Sequence, residues 1–110
     1  MYAIVNVIYG YPMTRDKLEE AVSKGMFEDE PDGYLEYYTG SGDTSPAAFG
    51  VDIGGFDEAC DYVDPSDINL TPTEEQKAEV EQLLSALDPE RQALIRESGD
   101  PFVFFLWSTS

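Results

Sequence analysis

The sequence predicts a single α+β domain spanning residues 1–110, built as a small mixed or antiparallel four-stranded sheet with helices packed on one face. Three observations predict it. The two ends, "YAIVNVIY" (2–9) and "PFVFFLW" (101–107), are apolar on both alternating faces, which suits strands near the middle of a sheet. The stretch 71–99 carries two consecutive sets of helix-start and helix-stop residues. Between the ends lie two further short runs rich in β-branched and aromatic residues, separated by turn chemistry.

Taken in order, residues 2–9 form the first strand and "GYPM" turns the chain. Thr14 is the expected N-cap of a helix running to about Lys24, and Gly25 is its stop. Leu18, Ala21, Val22 and Gly25 share one side of that helix, with Met13 placed to staple against Leu18. After the acidic loop "MFEDEPDG", "YLEYYTG" reads as a second strand with Tyr34, Glu36 and Tyr38 on one face and Leu35 and Tyr37 on the other, the latter being the expected inner face. "SGDTSP" turns into "AAFGVDI" (47–53), the expected hairpin partner of the second strand.

The stretch "GGFDEACDYVDPSDI" (54–68) supports two local structures. As a helix, Phe56, Ala59, Cys60 and Val63 fall at i, i+3, i+4 and i+7 and form an apolar stripe. As extended chain, Gly54-Gly55 marks a bulge or turn and Pro65 biases Asp64 away from helical angles. A short helix or turn ending before Pro65 accommodates most of this. Beyond it, Thr71 reads as an N-cap with Pro72 at the first helical position and Glu74 closing a capping box, followed by the stripe Val80, Leu83, Leu84, Leu87. Asp88 and Pro89 restart the same grammar and Gly99 ends it. The last strand is expected beside the first, in the interior of the sheet. A ferredoxin-like order is compatible with the element sequence, although it places that strand at an edge.

Composition narrows the chemistry. The chain has no histidine and one cysteine, so histidine-based nucleophilic triads, His-rich zinc sites and intrachain disulfides are excluded. Cys60 sits between Ala59 and Asp61, with Glu58 close by, a setting that raises a thiol pKa and suits a small apolar residue better than a nucleophile. No enzymatic motif stands out: "DEACDYVDPSD" lacks the ligand alternation, central Gly and terminal Glu of an EF-hand, and "GSGD" and "GVDIGG" lack the spacing of phosphate-binding loops. No apolar run reaches membrane-spanning length, and "MYAIVNVIYGYP" has no basic leader, so the expected location is the cytoplasm.

Charge is the informative feature. Twenty-three acidic residues against six basic ones give −17, a balance that repels nucleic-acid phosphates and anionic lipid, so neither direct nucleic-acid nor membrane binding is expected. The imbalance is also local. Between Lys24 and Lys77 lie 52 residues with fourteen Asp or Glu and no Lys or Arg. The six cations, Arg15, Lys17, Lys24, Lys77, Arg91 and Arg96, all fall on predicted helices, where acids such as Glu20 and Glu81 are placed to pair with them.

The function these features point to is a non-enzymatic acidic interaction protein, an inhibitor that docks a carboxylate-rich face onto a basic partner protein. The candidate face comprises Glu28, Asp29, Glu30, Asp32, Glu36, Asp57, Glu58, Asp61, Asp64 and Asp67, with Tyr34, Tyr38 and Tyr62 as aromatic anchors. Carboxylates about three residues apart on a helix or turn recur at roughly 5 Å, near the phosphate spacing of a nucleic-acid strand, so a nucleic-acid-binding enzyme is a natural target for such mimicry. Phage-encoded acidic inhibitors of nucleic-acid-handling enzymes are similar in size and charge. Three alternatives stand beside this one. They are a small ligand-binding domain with a Tyr/Phe-lined pocket near "YLEYYTGSGD"; a carboxylate site for a divalent cation at Asp57, Asp61 and Asp64; and a salt-adapted domain whose acidity only maintains solubility. Salt adaptation predicts acids and bases spread evenly, whereas here the bases gather on particular helices. No cofactor is expected.

Overall fold

The computed structural model describes residues 3–25, 32–37, 47–57, 64, 66, 68–97 and 99–109. Within them the order is β1 (Ala3–Met13), α1 (Arg15–Ser23), β2 (Tyr34–Glu36), β3 (Ala47–Asp57), α2 (Glu74–Ser85), α3 (Pro89–Arg96) and β4 (Phe102–Thr109). The strands form one antiparallel sheet in the order β2-β3-β1-β4. This is the α+β architecture the sequence predicts, and the strand order is that of a ferredoxin-like arrangement with its second crossover helix split in two.

Cross-strand partners share a face, so the register sorts the side chains. Met13, Tyr11 and Tyr9 of β1 lie opposite Ala47, Phe49 and Val51 of β3, and Tyr34 of β2 lies opposite Phe49. All these residues belong to or pack against one core with Leu18 and Ala21 of α1, Val80, Leu83 and Leu84 of α2, Leu87, and Leu94 and Ile95 of α3. The helices therefore cover one face. That corrects the expected orientation of β2: its inner face carries Tyr34 rather than Leu35 and Tyr37, because Tyr34 is in register with the fully buried Phe49.

Helix ends follow local chemistry. Thr14 caps α1 through its hydroxyl, which accepts the Lys17 N–H at 3.3 Å, and Gly25, at φ 71°, takes the left-handed position that ends it. Asp88 caps α3 by accepting the Arg91 N–H at 2.9 Å, with Pro89 next in line. The Gln92 amide seals the joint between α2 and α3 by donating to the Leu87 carbonyl at 2.7 Å. The start of α2 differs from expectation. Thr73, not Thr71, is the N-cap, and Gln76 closes the box: the Thr73 hydroxyl accepts the Gln76 N–H at 3.1 Å, and the Gln76 side chain accepts the Thr73 N–H at 2.8 Å.

Two further expectations are corrected. Residues 54–57 continue β3 instead of starting a short helix, while Ala59, Cys60 and Val63 lie outside the described residues. The register slips between Val7 and Ile8, which face Gly54 and Asp52, leaving Ile53 as the extra residue of a β-bulge. The second correction concerns β4, which lies beside β1 as expected but at the edge of the sheet rather than inside it. Its apolar character on both faces consequently leaves Phe102, Phe105 and Trp107 exposed at 47%, 48% and 56%.

Candidate functional site

The cations come first, because their positions decide which carboxylates are left uncompensated. Arg15 pairs with Glu19 at 3.4 Å, and Lys24 with Glu20 at 3.4 Å and Glu90 at 3.6 Å. Lys77 pairs with Glu74 at 3.4 Å, Arg91 with Asp88 at 3.4 Å, and Arg96 with Glu81 at 3.1 Å. Lys17 donates from Nζ to the Ile95 carbonyl at 3.2 Å. Burial lowers the Lys17 pKa, against the opposing pull of Glu97 and Glu20. Every one of these carboxylate partners sits on a helix or at its cap. Each exposed pair contributes little stability in water, but together they hold the cations within the helical layer.

On the β2 side of the sheet the carboxylates keep different company. Asp32, Glu36 and Asp52 are exposed, and among the described residues none of them is ion-paired. Glu36 accepts the Tyr34 hydroxyl at 2.9 Å. Asp52 spans the bulge: Oδ1 accepts the Gly54 N–H at 2.9 Å and Oδ2 the Tyr37 hydroxyl at 3.0 Å. The bulged Ile53 gives its carbonyl to the Asn69 amide at 3.2 Å. Burial, reinforced by the neighbouring Asp52 carboxylate, keeps the Tyr37 hydroxyl protonated well above the usual phenol range.

Beside them an open groove of about 470 Å³ lies where the chain enters β2 against β3. Asp32, Asp52 and Glu79 bring three carboxylates to its lining, with Leu35, Val51 and Leu83 as apolar walls. Gly33 sets its shape. At φ 92° it turns the chain beside the groove, its carbonyl accepts the Gly50 N–H at 2.9 Å, and a Cβ there would press to 3.0 Å from the Leu83 side chain. The groove joins negative charge to a partly apolar lining, suited to the aliphatic stem and charged head of Lys or Arg.

Of the other candidate residues, Asp64 is exposed, and the Ser66 N–H at 3.0 Å and hydroxyl at 2.9 Å hold its carboxyl below the usual range. Tyr34 is half-buried against the core, with its hydroxyl engaged by Glu36. Asp57 ends β3 opposite Ile4. Glu28, Asp29, Glu30, Tyr38, Glu58, Asp61, Tyr62 and Asp67 lie outside the described residues, as do Asp61 of the candidate cation site and most of "YLEYYTGSGD". Asp52 and Glu79 were not singled out in the sequence. Asp52 falls inside a strand, Glu79 belongs to a helix rich in acids, and it takes the register of β2 on β3 together with the packing of α2 on β3 to bring them to one groove with Asp32. Among the described residues no group of three or more His, Cys, Asp or Glu is arranged to hold a metal ion. No described helix is long and apolar enough to cross a membrane. No family model, curated protein or solved structure matches the chain.

Proposed function

We propose that this chain is a non-enzymatic acidic interaction protein that docks its β2–β3 edge and the adjoining acidic segments onto a basic surface of a partner protein. One observation carries the proposal: the cations are held in the helical layer, most of them in ion pairs with helical acids, while Asp32, Glu36 and Asp52 at the β2–β3 edge have no cationic partner among the described residues. Such segregation concentrates negative potential where steering and register matter for a basic partner. A partner surface that ordinarily holds nucleic acid fits best, because it presents Lys and Arg at phosphate spacing and is blocked by spaced carboxylates. Occupying such a surface inhibits the partner by keeping nucleic acid off it.

The test is a quantitative capture with the chain immobilised, followed by titration of salt and of a competing polyanion. Support requires partners whose basic nucleic-acid site is the contact, release by heparin, and loss of binding in the triple reversal Asp32→Lys, Glu36→Lys, Glu79→Lys. Binding that is indifferent to salt, or retained in that variant, refutes the reading.

A further inference from the structure

The opposite edge of the sheet has the reverse character. Residues 102–109, "FVFFLWST", contain no charge, no proline and no glycine, in a chain in which 26% of residues are charged. Edge strands are ordinarily guarded against pairing by Lys, Pro, bulges or shortness. β4 has none of these guards: it pairs with β1 from Phe102 to Thr109 without a register shift, and among the described residues nothing pairs with its outer side. Phe102, Phe105 and Trp107 expose about half of their surface there.

We infer that β4 is the seam of a symmetric dimer, in which it pairs antiparallel with β4 of a second copy of this chain to make one continuous eight-stranded sheet. A two-fold axis perpendicular to the sheet relates each residue to a partner on the same face. Centred on Phe105, it sets Phe105 against its own copy and Trp107 against Val103 on the helix-bearing face. On the other face it sets Phe104 against Leu106. The second copy is the favoured occupant because the strand is self-complementary and uncharged, so two chains of −17 meet where neither brings a like charge. The area fits a reversible contact. Three half-exposed aromatics with their flanking residues and backbone amount to roughly 500 Å² per chain, or about 1,000 Å² in all, which meets the lower threshold of a specific interface and suits a dimer that dissociates on dilution. Because β2 and β4 bound opposite edges, the dimer leaves an acidic groove free at each end.

Salt separates this contact from the proposed partner contact. Two strongly anionic chains repel, so screening tightens the dimer, whereas screening loosens an acidic face from a basic partner. Trp107, the one tryptophan of the chain, reports on the seam directly. The experiment is sedimentation equilibrium with Trp emission over a dilution series, at low and high NaCl, for the wild type and Trp107→Lys. The expected result is a dimer whose dissociation on dilution shifts Trp emission to longer wavelength, and which tightens with salt. Trp107→Lys, with its far-UV spectrum retained, is expected to weaken the dimer about tenfold or more, as for a central aromatic anchor. A monomer at 100-fold the concentration needed for capture, with emission independent of dilution, overturns the inference. So does a dimer left intact in Trp107→Lys, or a wild-type dimer that salt dissociates.

Discussion

Phe56 and Phe105 meet edge to face, with ring centroids 6.4 Å apart and planes at 86°, although they stand on β3 and β4, on either side of β1. Their contact spans β1 where Val5 and Val7, their respective cross-strand partners, are buried. Phe56→Ala is therefore expected to destabilise the fold by about 2 kcal/mol, less than for a fully buried ring. A double-mutant cycle with Phe105→Ala, read by urea denaturation, is expected to give a coupling of about 1 kcal/mol, the scale of an edge-to-face pair. Strict additivity would show that the rings merely lie near each other.

Gly10 and Gly50 are cross-strand partners whose backbones approach too closely for any side chain. A Cβ on Gly10 would run into the Phe49 carbonyl oxygen, and one on Gly50 into that of Tyr9. Both obstacles are backbone in the central strand pair, so neither can swing away. Alanine at either position is expected to cost about 3 kcal/mol or more, among the larger single-residue effects. Thermal unfolding of Gly10→Ala and Gly50→Ala checks this, and a loss below about 1 kcal/mol would mean that the two strands separate cheaply.

The cap of α2 distinguishes two threonines only two positions apart. Thr73→Ala removes the acceptor for the Gln76 N–H and is expected to cost about 1 kcal/mol. Thr71→Ala is expected to fall within about 0.5 kcal/mol of the wild type, as for an exposed residue outside the cap. Parallel denaturant titrations of the two variants decide the matter, and equal losses would contradict the observed helix start.

Tyr37 makes stability sensitive to alkali. Its folded pKa lies above the ordinary value of 10.0, so above that pH the unfolded chain gives up a proton that the folded chain keeps. The stabilisation is complete below about pH 10 and is lost as pH rises further. Tyr37→Phe is expected to flatten the decline measured by denaturation above about pH 10. A residual slope should persist from Tyr11, whose pKa burial also raises. An unchanged slope in Tyr37→Phe would show that burial and the neighbouring Asp52 do not hold the hydroxyl protonated.

Much of the architecture was legible because local chemistry and burial agree. Thr14, Gly25, Asp88 and the stripe Val80, Leu83, Leu84, Leu87 each do what their residue types favour. The start of α2 was ambiguous for a physical reason: "TPTEEQ" contains two overlapping boxes, Thr71 with Glu74 and Thr73 with Gln76, and only one can close. β4 was misplaced because apolar residues on both faces ordinarily mean a covered strand, and its exposed rings break that association. The cationic half of the charge map was readable in part: Lys24 pairs with Glu20 at helical spacing as expected, whereas Glu81 pairs with Arg96 of α3 and Glu90 with Lys24, contacts that depend on how the helices pack. The grouping of Asp32 with Asp52 and Glu79 was not readable, since it depends on which residue of β2 meets which residue of β3 and on how α2 packs across them.

Ile53 has a consequence for the whole second half of β3. Upstream, Ala47, Phe49 and Val51 point to the helices at odd numbers; downstream, Gly54 and Phe56 reach the same side at even numbers. The residue therefore shifts the count by one, and Asp52 and Asn69 fasten it in place. Exchanging Ile53 for another apolar residue changes a contact. Deleting it would leave Asp52 followed by Gly54 in plain alternation, with Gly54 still opposite Val7 and Phe56 still opposite Val5, so what the extra residue supplies is the local bend of β3 and its tie to Asn69 rather than the facing of the residues beyond it.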